Sequence, residues 1–372
     1  MDALDGRKQI YLDNIIFSLQ RAGGISVYWY ELLRRMIRDK LPLNAIEGGR
    51  VHDNIFRSKL ELPQNAIVST KRLPTKIARY LPPFVTLPKG CIFHSSYYRV
   101  PPGRDCVTVE TAYDFTYERF GSGLPRWVHT VQKRIALQKA HGVICISEST
   151  KRDLLRFVPG VSEDRMRVIY LGYADEFRPA QQEDVRQAAN SEHLHGLPYL
   201  VYVGDRSSYK NFQLAVRAVS QVSGYGLVVV GGGPLSGSDQ AHLDEQLGER
   251  YLHLDRLPNE ALNGLYNSAH ALIYPSSYEG FGIPVIEAMA AGCPVIAANT
   301  SSIPEAAGDA GLLVDDISAD AFAERIRALE NSLLRESVIQ RGFENAKRFS
   351  WERCYQETIA FYREIQLKSE KK

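Results

Sequence analysis

The chain has 372 residues, which is enough for two domains of ordinary size. Hydrophobic residues make up 44% and charged residues 24% of it, a composition that is typical of globular proteins and excludes a disordered or fibrous chain. The longest apolar runs are strand-sized and the amino-terminal residues carry no apolar signal region, so we expect a cytoplasmic protein without a membrane span.

The net charge of +2 is the sum of a basic first half and an acidic second half. Residues 1–172 hold 27 Lys and Arg against 16 Asp and Glu, or +11, and the remainder holds 18 against 27, or −9. A basic first half indicates an anionic partner, such as a phosphorylated acceptor, an anionic lipid surface or the acidic half itself. No nucleic-acid-binding motif occurs, so nucleic acid is not expected. The five scattered cysteines argue against both a disulfide framework and a zinc site.

Short β-branched runs alternate with amphipathic segments along the chain. The first series predicts strands at 9–14, 66–70, 91–95, 106–111, 142–147 and 166–172, with helices at 25–39, 125–140 and 148–157. The second predicts strands at 199–205, 226–232, 251–255, 271–276, 294–298 and 311–315, with helices at 211–222, 258–268 and 283–291. A strandless helical tail covers roughly 319–368. This alternation and its restart predict an α/β protein with two doubly wound parallel sheets.

The polar segment 173–197 predicts a linker between a first domain, 1–172, and a second domain, 198–350. We expect the two sheets to face one cleft. Ligands of doubly wound sheets bind at the carboxyl ends of the strands, beside the helices that follow. Candidate functional residues are therefore sought in the strand-to-helix turns.

Two of these turns have the composition of anion sites. Gly23 and Gly24 precede a helix and could expose backbone amides to a phosphate, although an ordinary tight turn fits equally well. The second turn holds Gly204, Arg206 and Lys210 before a helix that opens at Asn211. Two cations at a helix amino terminus oppose the helix dipole, which indicates a diphosphate between them unless they are solvated loop charges.

A third turn, 276-SSYEGFGIPVIE-287, carries two carboxylates, Glu279 and Glu287. The glycines around Phe281 could expose amides while its ring forms a flat wall. Glu287 lies in an almost wholly apolar helix, where a lone carboxylate needs a partner, although a solvated helix face is the alternative. Two separated carboxylates suit a ligand with two sugars, such as a nucleotide sugar.

The fourth turn follows strand 106–111 and holds Tyr113 and Asp114. Asp114 fits a role in a binding cleft as well as one as a turn former or helix cap.

Together these residues resemble family 4 of the retaining glycosyltransferases, which have the GT-B fold of two Rossmann-like domains. Glu279-Gly280-Phe281-Gly282 through Glu287 matches the family's E-x7-E motif, and the resemblance spans nearly the whole chain. It implies that the last helix, 351–372, crosses back onto the first domain. It also implies that Arg206 and Lys210 hold the donor diphosphate, that Glu279 contacts the hexose and that Glu287 contacts the ribose.

The resemblance assigns further residues. Gly23, Gly24, Gly204, Asn211, Gly280, Phe281, Gly282 and Ile283 are expected at the donor. Tyr113 stands where members often carry a histidine, and Asp114 is expected to be catalytic. The segment 93-FHSSYYR-99 is similar to that of mannosyl- and rhamnosyltransferases of polysaccharide assembly, which makes His94, Tyr97 and Arg99 acceptor candidates and favours a GDP-hexose, GDP-mannose above all.

The resemblance implies hexose transfer with retention to a glycan or lipid-linked acceptor. No metal or other cofactor is expected, since no Asp-x-Asp triplet occurs. A UDP-sugar transferase and a non-catalytic nucleotide-sugar-binding subunit are alternatives, while a hydrolase and an epimerase fit less well. The basic, apolar segment 71–89 could rest on an anionic membrane at its inner face or be an ordinary surface loop. Base contacts are expected near Gly232 and residues 256–257.

Overall fold

The computed structural model describes residues 9–49, 51–71, 73–103, 105–180, 194 and 196–370. The chain divides into two compact units, one made of Met1–Leu171 with Trp351–Lys372 and the other of Gly172–Ser350. Most of the predicted linker, residues 181–193 and 195, lies outside the described residues. No helix in the described ranges is both long enough and apolar enough to cross a bilayer.

The first unit is built on a seven-stranded parallel sheet of order β3-β2-β1-β4-β5-β6-β7. Its strands are β1 Ile10–Asp13, β2 Leu43–Glu47, β3 Ile67–Ser69, β4 Ile92–Ser95, β5 Val107–Ala112, β6 Gly142–Cys145 and β7 Met166–Val168. Its helices are α1 Ile16–Leu19, α2 Gly24–Arg38, α3 Thr75–Ala78, α4 Thr116–Phe120, α5 Gly123–Lys139 and α6 Glu148–Phe157. The central strands are buried along their whole length, as expected of a sheet covered on both faces.

The second unit has a six-stranded parallel sheet of order β10-β9-β8-β11-β12-β13. Its strands are β8 Tyr199–Val203, β9 Gly226–Val230, β10 Tyr251–Leu254, β11 Ala271–Tyr274, β12 Val295–Ala298 and β13 Leu312–Val314. Its helices are α7 Phe212–Ser220, α8 Gly237–Leu247, α9 Asn259–Ser268, α10 Ile283–Ala290, α11 Ile303–Ala307, α12 Ala319–Ala328 and α13 Ser332–Ala346. The order reverses between β8 and β11, which is where doubly wound sheets hold their ligands.

The last helix, α14 Trp351–Glu370, belongs to the first unit although the whole second unit precedes it in the chain. It packs against α2, β5 and β6. The Tyr362 hydroxyl lies 2.6 Å from His94 Nδ1, and the Tyr355 hydroxyl donates to Asp39 at 2.8 Å. The carboxyl terminus therefore completes the covering of the first sheet.

The two parallel sheets confirm the predicted fold, and most predicted elements are found within a few residues of their expected bounds. Strand β2 and helices α1, α3, α4, α8 and α11 were missed. Strand β2 ends in Glu47, whose buried carboxylate accepts from Arg57 and Asn14 at 2.6 and 2.8 Å, so its short run includes a charged residue. Helix α8 buries only Leu243 and Leu247, too few to give an apolar period.

We predict that Gly142→Ala destabilises the first unit. A Cβ at Gly142, the first residue of β6, would lie 2.7 Å from Ile365 Cγ1 and 2.9 Å from Phe361 Cζ of α14. Overpacking of this kind costs about 1–3 kcal/mol of unfolding free energy, measurable by urea denaturation. Gly103→Ala is the matched control, because a Cβ there has no neighbour within 4 Å. Equal stability of the two variants would contradict the packing of α14 on β6.

Candidate functional site

A buried ion pair joins two neighbouring strand ends of the second unit. Lys210 follows β8 and Glu279 follows β11, and these strands pair directly. The Lys210 ammonium donates to Glu279 Oε1 at 2.8 Å, and the side chains are 14% and 13% exposed. Burial lowers the pKa of Lys210, but the Glu279 carboxylate outweighs burial, so the pKa of Lys210 is raised. The lysine is therefore charged at neutral pH.

Asn211 ties the two turns together. Its backbone is left-handed, with φ of 52°, a conformation that asparagine tolerates better than most residues. Its amide nitrogen donates to the Pro275 carbonyl at 2.8 Å and to the Ser277 hydroxyl at 2.7 Å. Asn211 therefore precedes α7 rather than opening it as predicted, and it holds the turn after β8 against the turn after β11.

Two serines after β12 support the glycine-rich turn from behind. The Glu279 amide donates to Ser301 Oγ at 2.9 Å. The Ser302 hydroxyl lies 2.9 Å from the Glu279 carbonyl and 3.0 Å from the Phe281 carbonyl, and it donates to this pair of oxygens. The sequence analysis missed both serines, although their position directly after a predicted strand was a usable signal.

The aromatic ring in this turn does not form the expected flat wall. Phe281 is only 3% exposed, and its ring packs edge-on against Phe349 with centroids 5.5 Å apart. Gly282 adopts φ of +106°, which glycine reaches easily, and the chain turns there into α10 with Ile283 as its first residue. The turn thus offers its backbone rather than its aromatic side chain.

Glu287 lies on α10 among buried apolar residues. Within the described part of the chain, no hydrogen bond or ion pair reaches its carboxylate. Burial raises its pKa to about 8, so the carboxyl is largely protonated at neutral pH. A half-buried carboxyl without a protein partner carries a desolvation cost, which favours a ligand as its partner.

Arg206 is not the free cation that the sequence suggested. Its guanidinium donates to Asp239 Oδ2 at 3.2 Å and to four carbonyls, at 2.6 to 3.1 Å, those of Gly231, Gly232, Gly233 and Pro234. It therefore fixes the glycine segment after β9. Lys210 is paired with Glu279 and Arg206 with Asp239. The two side chains are therefore not the unpaired cations that the sequence predicted. Gly204 lies beside Lys210, and a Cβ there would lie 3.5 Å from Lys210 Cδ.

In the first unit, the glycine pair is found at the amino terminus of α2, where Gly24 is the first residue. A Cβ on Gly24 would have no neighbour within 4 Å, whereas one on Gly23 would lie 2.5 Å from Gln20 Oε1. The start of α2 is therefore open beside Gly24, as an anion site requires.

Tyr113 and Asp114 directly follow β5 and have different surroundings. Tyr113 is 5% exposed, and its hydroxyl has no hydrogen-bond partner within the described residues. Asp114 is half-buried and accepts from the Thr116 amide at 3.0 Å, the contact of a turn former. The turn-forming alternative for Asp114 is thus present in the structure.

Two of the three acceptor candidates are buried in the first unit. His94 is fully buried between Tyr362 and Thr111, and burial lowers its pKa to about 3, so it is neutral. Arg99 is 4% exposed and donates to Asp13 at 2.9 Å. The prediction that these two side chains contact an acceptor is wrong, because both are buried and bonded within the first unit. Tyr97 is half-buried, with its hydroxyl 3.0 Å from His129 Nε2.

Residues 184–345 match the family described as glycosyl transferases group 1. The chain is 31% identical over 240 residues to O-antigen chain mannosyltransferase B of Escherichia coli, a match that covers 61% of this chain and 62% of that protein. The chain thus spans about three fifths of the length of this relative.

Solved structures show the same fold. Sucrose-phosphate synthase of Thermosynechococcus elongatus aligns with a TM-score of 0.75 at 19% identity, covering 96% of this chain and 99% of that chain. HepE of Anabaena in complex with UDP-glucose aligns with a TM-score of 0.70 at 17% identity, covering 95% and 99%. The solved structures confirm the fold expected from the sequence, and the family match agrees with a glycosyltransferase.

We predict that Glu287→Gln removes a pH-dependent cost of folding. Because the folded-state pKa of Glu287 is about 8, against an ordinary value of 4.5, the wild type loses stability as pH rises through this window. Between these two pH values, the unfolding free energy of the variant minus that of the wild type should rise by up to about 1.4 kcal/mol per pH unit. Denaturation of both proteins at pH 5, 6.5 and 8 measures the difference, and a constant difference would contradict the raised pKa.

Proposed function

We propose that this group 1 glycosyltransferase moves a hexose from a nucleotide diphosphate sugar to a glycan or lipid-linked saccharide of polysaccharide assembly, with retention and without a metal. The observation that carries the proposal is the Lys210–Glu279 pair at the point where the order of the second sheet reverses, beside the Gly280–Gly282 turn. A cation and a carboxylate at such a place suit a ligand that has both phosphates and hydroxyls.

Lys210 is proposed to stabilise the leaving diphosphate. Breaking the anomeric C–O bond leaves negative charge on phosphate, and a positioned ammonium lowers the energy of that state. The diphosphate would share the ammonium with Glu279, whose other lone pairs remain available to hexose hydroxyls. Arg206 would act here chiefly by holding the 231–234 segment, to which it is bonded without ligand.

Glu287 is proposed to bind the ribose. Its carboxyl has no protein partner in the described part of the chain and is raised in pKa, so hydroxyl donors would stabilise its ionised form. This assignment explains why an otherwise apolar helix carries a carboxyl group beside the glycine-rich turn.

Retention is proposed to follow from attack on the face from which the diphosphate leaves. The acceptor oxygen forms the new bond to the anomeric carbon as the C–O bond to phosphate breaks, and the acceptor proton passes to the departing phosphate. In the first unit, Gly23, Gly24, Tyr113 and Asp114 stay candidates for donor or acceptor contact.

A GDP-hexose is the donor we place first, because the Escherichia coli relative is named a mannosyltransferase. A UDP-sugar is the alternative, favoured by the HepE complex with UDP-glucose, although that likeness is one of fold alone. Peripheral association with the inner face of a membrane belongs to the same proposal, since assembly of a lipid-linked glycan would take place there.

Calorimetry without added metal tests a panel of GDP, UDP, ADP and their sugar conjugates. We predict that the chain binds the members of one nucleotide family. Lys210→Ala should weaken that binding at least about thirtyfold, roughly 2 kcal/mol, because a nearly buried charge partner of the diphosphate is lost. The matched control is Lys347→Ala, whose side chain is 67% exposed directly after α13.

Titrations are run well below each variant's melting temperature, since Lys210→Ala also leaves Glu279 without its partner. Lys210→Arg keeps the charge and should retain part of the affinity. Equal affinity in Lys210→Ala and wild type would contradict the site, and tight binding without turnover in any acceptor extract would favour a non-catalytic subunit.

We further predict that the product keeps the anomeric configuration of the donor and that turnover survives EDTA. Proton NMR of the product formed from the nucleotide sugar chosen by the panel measures the anomeric coupling. An inverted linkage would contradict the proposed attack, free sugar as the sole product would indicate hydrolysis, and loss of turnover in EDTA that magnesium restores would contradict metal independence.

A further inference from the structure

Exposed apolar side chains are concentrated in one stretch of the first unit. Eleven large hydrophobic residues are exposed within the described part of the chain, and eight of them lie between residues 77 and 135. They are Ile77, Tyr80, Phe84, Tyr117, Phe120, Leu124, Trp127 and Ile135. Single exposed hydrophobics are ordinary, but a concentration marks an interaction surface.

Helix α5 carries the centre of this concentration. Leu124, Trp127, Val131 and Ile135 recur at helical spacing and form one stripe, in which Leu124 is 71% and Trp127 64% exposed. The other side of α5 is fixed to the unit, because Lys133 is 1% exposed and donates to Glu118 at 2.9 Å. The stripe is thus held outward on a well-anchored helix.

A groove of about 510 Å³ runs beside the stripe, between α5 and the segments 80–82 and 98–102. Its lining is mostly apolar and includes Leu81, Pro82, Val128 and Val131. We define the α5 surface as the stripe, this groove and the exposed side chains of Ile77, Tyr80 and Phe84.

The charges around the α5 surface are predominantly positive, with the exposed Asp105 beside Phe84 as an acidic exception. Residues 71–104 and residues 123–139 contain no Asp or Glu. Exposed cations of these two segments are Lys71, Lys76, Lys89, Arg126, Arg134 and Lys139. Arg134 lies two helical turns from Trp127, and Lys139 lies one turn beyond Ile135 and lines the groove. The side chains of Arg79 and Lys71 lie 5.0 and 5.2 Å from the rings of Tyr80 and Phe84.

An exposed tryptophan and leucine, on a helix without acidic residues and in mostly cationic surroundings, match the interface of an anionic bilayer. There aromatic rings enter the headgroup level and Lys and Arg meet lipid phosphates. We infer that the α5 surface docks the chain on an anionic membrane, with Trp127 inserted. A protein partner would also need to be acidic and apolar at once, and it becomes an outcome of the test. The inference extends the expected membrane contact of segment 71–89 to α5.

The fluorescence of Trp127 can report contact of the α5 surface with a membrane. Of its three tryptophans, Trp29 is fully buried and Trp351 is 4% exposed, so only Trp127 can meet lipid without unfolding. Vesicles of phosphatidylcholine with phosphatidylglycerol should shift the emission to the blue, and brominated lipids should quench it. Pure phosphatidylcholine vesicles should do neither, and the effect should weaken from 0.05 to 0.5 M salt because screening shortens the reach of charge.

Trp127→Ala should lower vesicle partitioning about tenfold in co-sedimentation, since it removes the most exposed aromatic anchor. Arg134→Glu combined with Lys139→Glu should abolish the preference for anionic vesicles. The matched controls are Leu333→Ala, an exposed leucine of α13, and Lys347→Glu, and both should partition like the wild type.

Equal binding to neutral and anionic vesicles, binding without a change in Trp127 emission, or no binding at all would overturn the inference. Loss of binding in the control variants would also overturn it, because the contact would then lie elsewhere. No nucleotide or acceptor is present in these assays, so failure of the donor-binding panel and failure of membrane docking are separately visible.

Discussion

The second unit depends on the direct parallel pairing of β8 with β11, two strands that are far apart in sequence. Because the sheet order reverses between them, the turns after these strands lie side by side, and this brings Lys210 within 2.8 Å of Glu279. Asn211 then bonds one turn to the other, and Ser302 bonds the second turn to the end of β12. The site is thus a product of strand order, and each supporting contact preserves it.

The first unit has the same reversal, between β1 and β4, but it is filled by protein groups. Asp13 ends β1, and its carboxylate accepts from Arg99 at 2.9 Å in the turn after β4. Both groups are buried, and burial raises the pKa of Asp13 even though Arg99 lowers it. A cation and a carboxylate at a strand end are therefore compatible with a structural role as well as a ligand role. Exposure distinguishes the two roles. Asp13 and Arg99 are buried, whereas Lys210 and Glu279 remain partly accessible to a ligand.

Local pattern was enough for most of the fold and for the turns that hold Lys210 and Glu279. Strands such as β8 and β9 are continuous apolar runs, and Glu279 and Lys210 could be found because they lie in the turns that follow such runs. Strand β2 was missed because its Glu47 is neutralised by Arg57, a partner that no window around β2 reveals. The protein contacts of Arg206 and His94 were missed for a similar reason. Arg206 bonds to the 231–234 segment and His94 bonds to Tyr362 of α14, so the surroundings of both side chains follow from tertiary contacts.

A crystal structure of the chain with the nucleotide sugar that binds it most tightly tests the role of the Lys210–Glu279 pair most directly. The account predicts diphosphate oxygens within hydrogen-bond distance of the Lys210 ammonium, ribose hydroxyls on the Glu287 carboxylate and the Arg206 contacts with 231–234 retained. A nucleotide ordered elsewhere, with Lys210 still bonded to Glu279 alone and Glu287 without a partner, would contradict it.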